Sequence, residues 1–185
     1  MLITLRRAAV LCLATAVVAL AGAGTSAIAA SATADLDAPT STAPVDAGPS
    51  GPGPATLVGV RVGQHDRYDR TVFDFTGGTP GYHVEYGPLY TEGRGDLVHL
   101  DGAATLSIHF HPAYAHDVNT GTTTINLGQV LNPRYPTLRQ VKFGGEFEGH
   151  VSAGLGVADR VGFRVFTLAN PYRVVVDVAH QPRGC

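Results

Sequence analysis

The chain has 185 residues, of which 44% are hydrophobic and 15% charged, and its formal net charge is −2. So mild an acidity argues against nucleic acid and anionic lipid as partners, because both need a basic face. Two cysteines and no tryptophan argue against a disulfide-stapled scaffold and a broad aromatic platform for sugars.

The first residues carry only positive charge, at Arg6 and Arg7, and an apolar run follows from Ala8 to Ala21. Small residues come next, with Ala-x-Ala frames at Ala27–Ala29, Ala30–Ala32 and Ala32–Ala34. A basic start, a short apolar core and a small-residue exit predict a cleaved signal peptide over residues 1–34. The apolar core is shorter than the roughly 20 residues a membrane span requires, so no span is expected after cleavage. Cys12 sits inside that core rather than at the exit, which argues against a lipid anchor. The flanks of the arginine pair favour general rather than twin-arginine export. Loss of Arg6 and Arg7 takes the charge from −2 to −4 and leaves Cys185 as the sole thiol, unable to form an internal bridge. The expected location is secreted or cell-envelope.

Residues 35–55 are dominated by Pro, Ala, Ser, Thr, Gly and Asp, with Leu36 and Val45 the only large apolar side chains. That composition predicts a disordered linker. From residue 56 to the C-terminus the pattern becomes short alternating runs broken by Gly, Pro, Asn and Asp. Strands are expected at 57–63, 70–76, 81–86, 97–100, 104–110, 138–143, 150–157, 162–168 and 173–179. Leu106, Ile108 and Phe110 alternate, as do Val151, Ala153, Leu155 and Val157, which places each set on one face of a strand. Many short strands without helical periodicity predict an all-β, antiparallel sandwich or barrel. The stretch 112–137 reads as loop, with room for one short helix.

Two segments share a pentad, Arg-x-Val-x-Asp: residues 70–74 and residues 173–177. On a strand, Thr71, Phe73 and Phe75 share the core face with Val174, Val176 and Val178, and the Arg and Asp residues lie opposite. If the two strands are antiparallel neighbours in matched register, Arg70 falls beside Asp177 and Arg173 beside Asp74. The alternative is a solvated polar face. This face, with Arg70, Asp74, Arg173 and Asp177, is one candidate ligand surface.

With these pentads, the Glu146-Phe147-Glu148-Gly149 segment and Asn170-Pro171-x-Arg173, the region 57–180 resembles the AMIN-like domain. That domain is related to the AMIN domain at the N-terminus of peptidoglycan amidases. The resemblance implies a β-sandwich of two similar sheets with internal pseudo-symmetry. It also implies envelope targeting, with peptidoglycan or another wall glycan as partner. In the amidases the domain precedes a zinc hydrolase; here no such domain follows the last strand, so a non-catalytic binding role is expected. An envelope protein as partner, in an assembly role, is the alternative. No cofactor is expected.

Three further patterns bear on chemistry. His109 and His111 share a strand face and His116 follows, a set that could hold zinc in a metal-binding envelope protein; surface histidines at a strand end explain the pattern equally well. Ser152 near His150 reads as surface rather than as a nucleophile beside its base. Glu85, Glu92, Asp96, Glu146 and Glu148 offer carboxylates, but their spacing selects no catalytic pair. Tyr68, Tyr86, Tyr90, Tyr114, Tyr135, Tyr172 and Arg94 are the side chains available to a glycan.

Overall fold

A computed structural model describes residues 36–181, leaving the predicted signal peptide, Cys12 and Cys185 outside the described residues. Eleven strands follow in order: β1 (Val45–Ala47), β2 (Thr56–Gln64), β3 (Tyr68–Thr76), β4 (Gly81–Tyr86), β5 (Leu89–Tyr90), β6 (Leu97–Val98), β7 (Ala104–His111), β8 (Leu138–Phe147), β9 (His150–Val157), β10 (Phe163–Leu168) and β11 (Tyr172–Ala179). They form a five-stranded antiparallel sheet, β1-β4-β7-β9-β8, and a four-stranded one, β10-β11-β3-β2, with β5-β6 as a small hairpin. The two large sheets pack as the expected sandwich. Among the described residues there is no helix, including over 112–137.

The alternating residues meet between the sheets. Leu106, Ile108 and Phe110 of β7, Val151, Ala153, Leu155 and Val157 of β9, and Val174 and Val176 of β11 are fully buried. Phe73 stands edge-on to Phe110 and Phe143, and Phe75 edge-on to Phe110. Each buried Phe contributes about 1.5–3 kcal/mol by leaving water, and the edge-to-face geometry adds to this.

The second face of β9 is covered as well, which alternation did not predict. The β5-β6 hairpin and the turn after it lie over that face. A Cβ on Gly156 would stand 2.1 Å from the Asp101 carbonyl oxygen, and one on Gly154 would stand 2.9 Å from Leu89 Cδ2. Glycine at these positions lets a second layer of backbone approach the sheet. Ser152, expected at the surface, is fully buried beneath this layer beside Gly144.

The stretch expected to be a linker is structured over its described part. Phe163 of β10 donates its backbone N–H to Ser41 O, and β1 pairs with β4 through Val45↔Val84 and Ala47↔Tyr82. Residues 37–47 therefore strap the outer edges of both sheets, β10 of one and β4 of the other. The composition misled because this strap bonds through its backbone and through exposed Asp37 and Asp46 and buries little side chain; prolines are compatible with such edge positions. On the opposite side the 112–137 connection does the same work. Tyr114 pairs with the edge of β2 at Thr56, and Leu131 pairs with β8 at Val141. Ala113, Ala115 and Ile125 are buried in the core.

One end of the sandwich is tied by a buried carboxylate. Asp69 Oδ2 accepts from the backbone N–H groups of Thr137 and Leu138, each at 2.8 Å, and its Oδ1 lies 2.8 Å from His180 Nε2. This joins β3 of one sheet to the start of β8 in the other.

Gly156→Ala is expected to lower stability by about 1–3 kcal/mol, because the new methyl meets backbone rather than a side chain that can swing away; urea unfolding checks this. A second expectation concerns the strap. Hydrogen bonding to Asp46 raises the His83 pKa above its ordinary value, with burial opposing and Glu85 assisting. The raised value means that proton uptake favours the folded strap. The His83–Asp46 contribution is full below the unfolded pKa of about 6.5 and is lost as pH rises through the higher folded value. Hydrogen exchange at β1 should accordingly slow on acidification, beyond the intrinsic change in exchange rate. The Asp46→Asn variant should lose that extra protection.

Candidate functional site

The pentads lie on adjacent central strands of one sheet. β3 and β11 are antiparallel, with Arg70 opposite Asp177, Val72 opposite Val175 and Asp74 opposite Arg173. A local twofold therefore passes through the Val72–Val175 pair, so the repeat falls within a single sheet.

The two ends of this pseudo-symmetric pair differ. Arg70 grips Asp177 with two bonds, Nε to Oδ1 at 2.6 Å and Nη2 to Oδ2 at 2.9 Å. From the next strand, Arg164 Nε donates to Asp177 Oδ2 at 2.7 Å. Asp177 is 0% exposed, so two guanidiniums and their carboxylate form a row across β10, β11 and β3. Both guanidiniums also lie over the Tyr68 ring, at 5.0 and 4.8 Å from its centroid. At the other end Asp74 faces Gly59 across β2, where no arginine can match Arg164. Asp74 instead takes a bidentate pair from Arg61, with both bonds at 3.0 Å. Arg173 turns away and donates to Pro171 O at 3.2 Å. Of the two expected pairs, Arg70–Asp177 forms; Arg173 stands opposite Asp74 in register without bonding it.

The family-like motifs between these strands are turns. Glu148 and Gly149 have φ of 47° and 77°, the two left-handed positions of a tight hairpin turn joining β8 to β9. Asn170, at φ 56°, holds the β10–β11 turn in a conformation Asn tolerates. Glu146 braces the neighbouring loop, its Oε2 accepting from Ala115 N at 2.8 Å.

The histidines point to separate partners. His109 lies 3.7 Å from Glu92, and His116 lies 2.8 Å from Glu146. His111 stacks on His150 with ring centroids 3.9 Å apart. His109 and His111 do share the outer face of β7, but His116 belongs to the loop. Among the described residues no group of three or more His, Cys, Asp or Glu side chains is placed to hold a metal ion. His150 is engaged with His111 and does not meet the buried Ser152 hydroxyl. Of the carboxylates, Glu85 lies 3.5 Å from His83 and Asp96 pairs with Arg94 at 2.7 Å.

The tyrosines divide. Tyr68 is buried beneath the two arginines, Tyr135 and Tyr172 pack against the core, and Tyr90 is 48% exposed. Tyr114 stands edge-on to His116. Tyr86 walls an open cleft of about 300 Å³ with Gly87, Pro88, the 102–105 segment and Arg160. Its hydroxyl donates to Val161 O at 2.8 Å and accepts from Val161 N at 3.1 Å. Burial pushes its pKa up, so it remains protonated. The Arg160 guanidinium lies 5.0 Å from the Tyr86 ring centroid. A second cleft, of about 450 Å³, shares Gly102 and Ala103 with the first and adds Asp101, Arg134, Arg139 and Ala158. Sequence reading picked Tyr86 but missed the arginines. They come from the 131–137 turn, from β8 and from the 158–162 turn, and no spacing rule joins such positions.

Among the described residues no helix is long and apolar enough to cross a membrane. A comparison with curated proteins gave no significant match. A family profile does match, for the AMIN-like domain over residues 55–180, which takes in every strand from β2 to β11. The β-sandwich, the paired pentads and this match agree: the chain belongs to the AMIN-like domain family, the envelope-associated relative of the peptidoglycan amidases' AMIN module.

Proposed function

We propose that this protein is a non-catalytic module of the cell envelope that binds peptidoglycan or another wall glycan, delivered there by an export signal over residues 1–34. The observation that carries the reading is the family match across nearly all of the sandwich. The chemistry of the surface supports it. His109 and His116 each pair with one carboxylate, His111 stacks on His150, and the hydroxyl of Ser152 is sealed under the β5–β6 layer. Nucleophilic catalysis needs a reachable nucleophile beside its base, and His150 and Ser152 do not make such a pair. The Arg70–Asp177–Arg164 row reads as structural. A fully buried carboxylate held by two guanidiniums has no lone pairs turned outward to a ligand, and its role is to fix three strands together.

Sacculus co-sedimentation tests the reading. The chain from Ala34 onward, which forms one compact unit, is expected to pellet with purified peptidoglycan at low salt and to stay soluble without it. No pelleting would favour the assembly alternative, in which another exported protein is the partner. The structural role of the charged row predicts a separate outcome. Arg70→Met should cost about 1–3 kcal/mol, because Asp177 loses both Arg70 bonds and keeps only Arg164, read by urea unfolding, while the folded fraction still pellets like the wild type. Arg61→Ala, at an exposed pair, should cost at most about 1 kcal/mol.

A further inference from the structure

We infer that the paired clefts at the Tyr86 end of the sandwich form a binding site for the carboxylate of an acidic amino sugar; this deepens the wall-glycan reading and rests on it for the choice of ligand. The charge pattern singles out this place. Arg61, Arg70 and Arg164 are bonded to carboxylates, Arg67 to Asp37 and Arg94 to Asp96. Among the described residues, Arg134, Arg139, Arg160 and Arg173 form no ion pair with a carboxylate; Arg173 is instead bonded to Pro171 O, which leaves the first three. These three line the two adjoining clefts. In a chain of net negative charge, three arginines without such partners around one depression give a local positive field. Two carboxylates offset part of it: Asp101 in the second cleft, whose Oδ2 accepts from Gln140 Nε2 at 3.3 Å, and Asp159 beside Arg160, whose charge acts on Tyr86 and whose Oδ2 accepts from Gln181 Nε2.

The cleft is also rigid. Tyr86 is fixed at its hydroxyl by both backbone groups of Val161, and its ring holds the Arg160 guanidinium by a cation–π contact. Val161 adjoins Arg160, so the ring and the guanidinium are positioned by one turn. Arg134 has a left-handed φ of 54°, a conformation costly for a long side chain and kept only where its surroundings enforce it. The enforcement is visible on both sides: Leu131 pairs with Val141, and Tyr135 N–H donates to Leu138 O at 2.8 Å. The floor is made of Gly102 and Ala103, which leaves backbone within reach of a ligand. An aromatic wall, a small-residue floor and fork-shaped cations suit a sugar ring bearing a carboxylate. The sugar ring packs beside Tyr86 and the Arg160 guanidinium that lies over it, and guanidinium N–H groups grip the acid with charge-assisted bonds. Cleft volumes of about 300 and 450 Å³ fall at the lower end of the roughly 300–1,000 Å³ range of small-ligand sites, the scale of one or two sugar units.

The test is an NMR titration of the chain from Ala34 onward with N-acetylmuramic acid, using N-acetylglucosamine as the neutral control. Saturable shifts are expected at the Gly102 and Ala103 amides and the Arg160 side chain with the acidic sugar, and not with the neutral one. Arg160→Gln lies at the surface and keeps the fold. It should weaken binding about tenfold, the loss of one charge-assisted bond, with the rest of the amide spectrum unchanged. Absence of shifts with the acidic sugar, or equal shifts with both sugars, overturns the site. So does wild-type affinity in Arg160→Gln. Sacculus binding without these shifts leaves the wall reading intact and rejects only this cleft. Shifts without sacculus binding keep the cleft and reject the wall reading.

Discussion

The four-stranded sheet is organised around one fully buried carboxylate. Asp177 lies on the outer face of its strand, where an ordinary residue would be half-exposed, yet solvent does not reach it because Arg70 and Arg164 close over it. An unpaired carboxylate in that position would cost several kcal/mol. The three strands must therefore align so that both guanidiniums arrive. A slip of β3 by one residue would turn its side chains to the other face, placing Arg70 in the core and leaving Asp177 to Arg164 alone. The hydrophobic face of β11, with Val174, Val176 and Val178, sets the same register from inside. Core packing and the buried charge agree, and that agreement makes the pairing specific rather than merely stable.

Much of this was legible because it depends on local pattern. Strand β4 falls at 81–86 and β9 at 150–157 as period-two alternation places them, and the matched pentads offered the β3–β11 register as one of two readings, of which the structure shows the register. The sequence was opaque wherever burial came from backbone rather than side chains. The 37–47 strap has the composition of a linker because it buries little side chain: it is held by carbonyls and amides at two sheet edges and by the exposed carboxylates of Asp37 and Asp46. The covering of β9 was hidden for the opposite reason. Gly154 and Gly156 read as breaks in an alternating strand, whereas they are the positions where a second chain segment comes within contact of the sheet. Ser152 was placed at the surface on the same reasoning and is buried by the same cover.

Both straps answer one problem. A sandwich built of open sheets leaves unpaired edges that invite association with other chains. Here 37–47 pairs with the β4 edge and bonds to β10, and 112–137 does so at β2 and β8. These contacts pin each edge at one stretch and so shorten it without closing it, with β1 itself at the rim of the five-stranded sheet. Shortened edges disfavour strand addition, and recognition by side chains is the other mode open to the domain.

Recognition by side chains turns on which polar groups remain uncommitted. Asp69 is consumed in joining the sheets, Glu146 in bracing the loop beside it, and Asp177 in aligning three strands. The motif residues that mark the family are thus largely architectural: the pentads set register, and the Glu148-Gly149 and Asn170-Pro171 pairs make turns. A shared fold need not place its ligand on its shared residues, since members can hold one scaffold by the same internal bonds and vary the loops at its ends. By that logic the residues that face a ligand are those the fold does not require. Arg134 and Arg160 fit this description: both stand on connecting turns, and neither forms an ion pair within the sandwich. The sequence pattern names the scaffold, and the charges left over after the scaffold is built mark where a partner would be held.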